Sequence, residues 1–238
     1  MAIVEQHSKV RSKLIALFGG TFDPIHNGHL QTVNALKEDL QIDEVRWVVS
    51  AKPPHRGEPS ATPEQRIEML ELALEPYSNM ICDDIELKRD GPSYTVLTLE
   101  AYRQQFPDDH IILIVGADVM QSFHTWHQHE KITQLAHMIV MHRPGYKNAL
   151  AAVLKPFETK QADDFKKAKN GKVLVYPAPA VPISATAIRE KLLNHEVVDG
   201  LVPDLAPDLA PDLVPSKVAD YINAQKLYRS VDENTVYS

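Results

Sequence analysis

The chain has 238 residues and a mass of 26.7 kDa, enough for one sizeable α/β domain with its own core. With 44% hydrophobic and 24% charged residues it is not a disordered chain, and its single cysteine, Cys82, excludes an internal disulfide framework and a cysteine-built zinc site and fits a reducing, cytoplasmic compartment. The net charge of −7 disfavours a nucleic acid polymer as partner, no apolar run reaches the roughly 18 residues of a membrane span, and the polar first 13 residues carry no signal-peptide pattern.

Residues 14–18 form a continuous apolar run that stops at Gly19-Gly20, the pattern of a strand buried on both faces. Leu30, Val33, Leu36 and Leu40 then recur at helical spacing, and Val45–Val49 reads as a second buried strand. Strand, glycine turn, helix and strand make a βαβ unit. A proline-rich loop covers 50–62; Thr62 is a helix N-cap with Pro63 at the first helical position, opening a helix over 63–75. A short strand is predicted at 80–88, a helix at 94–105 and the most apolar strand at 111–115, ending at Gly116-Ala117-Asp118. A polar helical region, a strand at 136–141 and a turn at Arg143-Pro144-Gly145 follow. Lys155–Gly171 is charged and poorly patterned, 173–176 is a late strand, Ser184–Leu193 a short helix, and a last helix lies near 215–226.

This alternation predicts an α/β fold: a Rossmann-like open, mostly parallel sheet with helices on both faces. One domain spans 1–238, with an N-terminal extension over 1–12 and an insertion over 203–215, where Pro-Asp-Leu-Ala repeats in an extended surface excursion.

Glycine and proline are spread unevenly. Gly19, Gly20 and Gly28 fall in one ten-residue window, where the chain leaves its first strand and opens its first helix. A helix start at the carboxyl end of a parallel strand suits phosphate, because its amides and dipole point at the ligand. His26 and His29 share a face if both lie in a first helical turn; each can donate to a phosphate oxygen, and Thr21 adds a hydroxyl. The alternative is a metal site of His26, His29 and Asp23. In 181–193, Ser184 reads as an N-cap and Thr186 and Arg189 share a polar face, able to hold a polyphosphate or simply to form a capped amphipathic helix. Lys52-Pro-Pro-His55-Arg56 is a stiff cationic loop, or an ordinary basic turn. His124, His127, His129 and Glu130 cluster without zinc-site spacing and read as a polar helix face. Cys82 reads as buried and inert, and Tyr94 and Met69 as packing residues.

The run Gly-Gly-Thr-Phe-Asp-Pro-Ile-His-Asn-Gly-His-Leu resembles the signature of the nucleotidyltransferase superfamily with the H-x-G-H motif, in the wording of the bacterial nicotinate-nucleotide adenylyltransferase family. Residues 183–189 resemble that family's I-S-x-T-x-I-R motif, with Ala185 where serine is frequent. Residues 52–56, 89–95 and 116–126 are similar to its P-P-H-[KR], G/A-P-S-Y-T and G-x-D…W segments, and the likeness runs from Leu14 to Tyr228. Leu97 departs from a frequent aspartate and is given no role.

The resemblance implies a transfer of the adenylyl group of ATP to nicotinic acid mononucleotide, in NAD biosynthesis, with Mg²⁺ as cofactor. It implies His26, His29 and Arg189 as catalytic residues. It places Gly19, Gly20, Thr21, Phe22, Gly28, Gly116, Asp118, Ile183, Ser184 and Thr186 with them at ATP. It places Lys52, His55, Arg56, Tyr94, Thr95, Trp126 and Arg143 at the pyridine nucleotide, Trp126 by stacking, and Asp118 near the metal through a water. The competing readings are transfer to nicotinamide mononucleotide or 4′-phosphopantetheine, a non-catalytic nucleotide sensor, or a metal hydrolase. A homo-oligomer is left open.

Overall fold

The computed structural model describes residues 11–52, 57–142, 150–179, 181–195 and 213–229. Its centre is a seven-stranded sheet in the order β3-β2-β1-β4-β5-β7-β6, with every described pairing parallel. The strands are β1 (Leu14–Gly20), β2 (Glu44–Val49), β3 (Met80–Asp83), β4 (His110–Gly116), β5 (His137–His142), β6 (Glu158–Thr159) and β7 (Val173–Pro177). The helices are α1 (Asn27–Asp39), α2 (Pro63–Leu74), α3 (Thr95–Gln105), α4 (His129–Leu135), α5 (Asp164–Lys167), α6 (Ala185–His195) and α7 (Ser216–Ala224).

Side-chain alternation along the strands builds two cores. Leu14, Ala16 and Phe18 of β1 face one side, where Leu30 and Leu36 of α1, Met69 of α2, Ile188 of α6 and Val218 of α7 pack on them. Ile15 and Leu17 face the other, with Leu99 and Tyr102 of α3 and Ile132 of α4. The centre of the sheet is therefore covered on both faces, which is why its strands read as continuous apolar runs. α2 starts with a reciprocal capping box: Gln65 N donates to Thr62 Oγ1 (3.3 Å) and Thr62 N to Gln65 Oε1 (2.9 Å).

Three expectations are corrected. The strand predicted over 80–88 ends at Asp83, because the Asp83 carboxylate accepts from Ile85 N (3.0 Å) and Leu87 N turns back to Asp84 O (2.8 Å). The polar helical region after Asp118 is two 3-10 turns, Ala117–Gln121 and Phe123–Thr125, before α4. The unpatterned stretch 155–171 holds part of another 3-10 turn, the two-residue edge strand β6 and the single turn α5, all too short to show a period. The 203–213 repeat, residues 1–10 and the turn at 143–145 lie outside the described residues.

Successive strands β1, β2 and β3 run outward in one direction, while β4 returns to the other side of β1. The strand order thus reverses between β1 and β4, and a crevice opens beyond their carboxyl ends, the position at which open α/β sheets bind ligands.

Candidate active site

A cleft of about 830 Å³ opens at this reversal point. It is lined by Gly19–Asp23, His26 and His29, by Gly116–Val119, Ser122, Trp126 and His127, by Ser93–Thr95, and by Ile183–Thr186 with Arg189. Most of the residues singled out from the sequence, more than 160 positions apart at the extremes, thus face one volume.

His26 is the N-cap of α1 and is 3% exposed; it lies outside the first helical turn, in extended conformation. The shared helix face expected for His26 and His29 is therefore replaced by direct stacking, with ring centroids 3.6 Å apart and planes 19° from parallel. His29 N donates to His26 Nδ1 (3.3 Å), so a neutral His26 carries its proton on Nε2, the nitrogen suited to donate. Phe18 and Phe22 meet the His29 ring edge-on at 6.0 and 5.7 Å, fixing its plane.

The glycine window works differently from the expectation. Gly19 has open space where a Cβ would stand, but a Cβ on Gly20 would sit 2.8 Å from the Phe22 ring. Gly20 is needed for Phe22 to fold back, and Phe22 itself adopts a left-handed φ of 51°. Gly28 does not face the cleft; it is buried between His26 and Ile183. The amides of α1 are also less available than a bare helix start: Asn27 N donates to Leu213 O (2.8 Å) and His29 N is taken by His26.

Asp23 is not placed as a metal ligand. It is 6% exposed, and its carboxylate accepts from Ser60 N (2.8 Å), Ala61 N (3.1 Å) and Tyr228 Oη (2.8 Å). Its carbonyl accepts from Arg189 Nη1 at 2.6 Å, while Arg189 Nη2 lies 3.4 Å from Thr186 Oγ1. Ser184 caps α6 by accepting from Ala187 N (3.2 Å). Below the glycine turn lies Arg66, which belongs to none of the sequence motifs: 1% exposed, it donates from Nη1 to Thr21 O (2.8 Å) and Ser50 O (2.9 Å). Its sequence signal was a charge on the stripe Arg66, Met69, Leu70, Ala73 that α2 buries. Burial pulls its guanidinium below the ordinary value, with Asp23 opposing.

Trp126 is half-buried against Phe123 with ring centroids 5.5 Å apart. Tyr94, read as packing, lines the cleft and stacks on His127 at 4.4 Å. The histidine cluster is not a helix face: His124 lies in a 3-10 turn, His127 between turns, and His129 opens α4. No group of three metal-ligating side chains occurs among the described residues. Asp118 is exposed in the cleft next to Gly116, where a Cβ would lie 2.1 Å from Asp118 Oδ1. One exposed carboxylate on the cleft fits a Mg²⁺ ion, which keeps most of its waters and takes few protein ligands. Lys52 is exposed and absent from the described lining; its backbone pairs with Ser93, Lys52 N donating to Ser93 Oγ (3.1 Å) and Ser93 N to Lys52 O (3.2 Å). His55, Arg56 and Arg143 lie outside the described residues. Cys82 is half-buried rather than buried, with its thiol pushed up to about 12 by burial. Met69 is fully buried packing. Among the described residues no helix is long and apolar enough to cross a membrane.

Residues 17–191 match the cytidylyltransferase-like family model. The nicotinate-nucleotide adenylyltransferase of Escherichia coli O157:H7 is 41% identical over 222 residues, covering 91% of this chain and 99% of the relative. The Plasmodium falciparum nicotinic acid mononucleotide adenylyltransferase complexed with NaAD superposes with a TM-score of 0.66 at 18% identity, over 91% of this chain and 97% of that one. The same enzyme complexed with APC gives 0.64 at 18% identity over the same shares. These two structures carry the fold, and the identity to the curated relative carries the family. By the matched model and by identity along nearly the whole chain, this protein belongs to the cytidylyltransferase-like family, among the nicotinate-nucleotide adenylyltransferases.

Proposed function

We propose that this chain transfers the adenylyl group of ATP to the phosphate of nicotinic acid mononucleotide, forming nicotinate adenine dinucleotide and pyrophosphate, a step of NAD biosynthesis. The observation that carries the proposal is the stacked His26–His29 pair lining one cleft together with Arg189 and Thr186 at the β1/β4 reversal.

A phosphate oxygen of the mononucleotide attacks the α-phosphorus of ATP. The new P–O bond forms in line as the bond from the α-phosphorus to the β-phosphate bridging oxygen breaks, and that oxygen leaves with pyrophosphate. The attacking phosphate is already ionised, so no general base is required. Rate enhancement comes from alignment and from donors aimed at the charge that grows on the phosphates. His26 Nε2 and the His29 ring act at the transferring phosphate. Arg189, Ser184 and Thr186 act at the leaving pyrophosphate, at the start of α6. Trp126 stacks on the pyridine ring beside Tyr94 and Thr95. Asp118 is the residue that would hold Mg²⁺, and the ion would supply neutralisation of phosphate charge.

Pyrophosphate release with ATP and each of nicotinic acid mononucleotide, nicotinamide mononucleotide and 4′-phosphopantetheine tests the reading. Nicotinic acid mononucleotide gives the highest kcat/KM; a better rate with either of the others overturns the named substrate, and no release with any of them overturns the enzyme.

A further inference from the structure

The loop 21–27 carries His26 and the Asp23 carbonyl that meets Arg189, yet it is held in place by a segment about 200 residues away. Two hydrogen bonds reach it from the residues around α7. Leu213 O accepts from Asn27 N (2.8 Å) just before that helix, and Tyr228 Oη donates to Asp23 Oδ1 (2.8 Å) just after it. Tyr228 is 9% exposed, with its ring in the core and a left-handed φ of 61° that turns the chain after α7. Burial and the Asp23 carboxylate push its phenol far up, so it stays a donor at every working pH.

Asp23 passes this contact on. Its side chain is gripped by Tyr228, Ser60 and Ala61, and its carbonyl grips Arg189 at 2.6 Å. Three donors hold the Asp23 side chain and with it the Cα from which the carbonyl that meets Arg189 extends. Arg189 in turn reaches Thr186 at 3.4 Å, and both line the cleft. The chain Tyr228–Asp23–Arg189 therefore links the carboxyl-terminal segment to the phosphate-facing cation without Tyr228 lining the cleft.

We infer that Tyr228 is a positioning residue: its hydroxyl, acting through Asp23, sets Arg189 for the leaving pyrophosphate. The inference rests on the reading of Arg189 in the proposed reaction. Small displacements of a charge-stabilising group are costly to turnover, so the expected loss is about tenfold in kcat with Tyr228→Phe. The KM for nicotinic acid mononucleotide changes less than twofold, because in the proposed reaction that substrate's ring stacks on Trp126.

The test is a double-mutant cycle on the full chain with Tyr228→Phe, Arg189→Ala and the pair. Two readouts are taken: kcat by pyrophosphate release, and the ATP dissociation constant by calorimetry. Tyr228→Phe lowers kcat and weakens ATP binding in the native background and has no further effect once Arg189 is alanine. Effects that multiply independently, or no effect of Tyr228→Phe in either readout, overturn the positioning role. A wild-type chain that releases no pyrophosphate with any acceptor overturns the functional reading instead, and the calorimetric cycle still decides the Tyr228–Arg189 coupling. Thermal melting with and without ATP shows that each variant is folded and repeats the comparison as a shift in Tm.

Discussion

Arg66→Met is the sharpest perturbation of the site's scaffold. One nitrogen of Arg66 ties the carbonyl at the end of the glycine turn, Thr21 O at 2.8 Å, to the carbonyl following β2, Ser50 O at 2.9 Å. Both are hydrogen bonds from a charged donor, each worth about 1.5–3 kcal/mol. Methionine fills much of the stem's volume but leaves both carbonyls without that donor. Part of the loss is offset, because Arg66 Nε is buried with no hydrogen-bond partner and the guanidinium is desolvated, together about 1–3 kcal/mol of cost that methionine removes. The net expectation is a destabilisation of about 3 kcal/mol, read by urea denaturation, and a Tm lower by about 6–12 °C in a chain of this size. At a temperature where the variant is fully folded, kcat falls as well, since Thr21 lines the cleft. A loss under about 1 kcal/mol with unchanged turnover refutes the reasoning, since it means that the two carbonyls are satisfied without the arginine.

Three further outcomes are expected. His29→Ala lowers kcat about a hundredfold, the scale of removing one donor to a transition-state oxyanion, with KM little changed; near-normal turnover removes His29 from the mechanism. Trp126→Ala raises KM for the pyridine mononucleotide about tenfold by removing a stacking face, while ATP affinity stays within twofold; equal losses for both substrates contradict that placement. His137 is fully buried, its imidazole pulled down to about 4 by burial against the opposing hydrogen bond to Ala168 O, and Lys172 N donates to its Nδ1 at 3.1 Å. The unfolded chain takes up the proton first, so this contribution is intact above about pH 6.5 and is lost as pH falls toward 4, on the order of 3 kcal/mol. Denaturation free energies at pH 7 and 4.5 measure it, and a His137→Asn variant with the same pH slope argues against this origin.

Local pattern was enough for β1, β2, β4 and β5, because a strand covered on both faces must be continuously apolar, and Leu14–Phe18 and Ile111–Val115 are. It was enough for the start of α2, where Thr62, Pro63 and Gln65 act over a few residues. It failed for β6 and α5, which are shorter than one hydrophobic period and are held by the sheet edge and by neighbouring side chains. At the site, the histidine motif and the Ser184–Arg189 stretch announced themselves as residue types at a spacing. Arg66 showed only as a charge out of place on an apolar stripe, and Tyr228 showed as nothing but a tail aromatic.

The amino-acid order alone therefore determined the alternation of strands and helices, the glycine turn after β1 and the residue types that line the cleft, since each depends on neighbours within a helical turn or a strand. Only the tertiary structure decided how those residues meet. It stacked His26 on His29 through a helix cap rather than a helix face, and it closed the first amide of α1 with Leu213. It also made Asp23 a junction for Ser60, Ala61, Arg189 and Tyr228 instead of a metal ligand. Those contacts join positions up to 205 apart, and their geometry is set by which strands neighbour which in the sheet, a property that no local window of the chain contains.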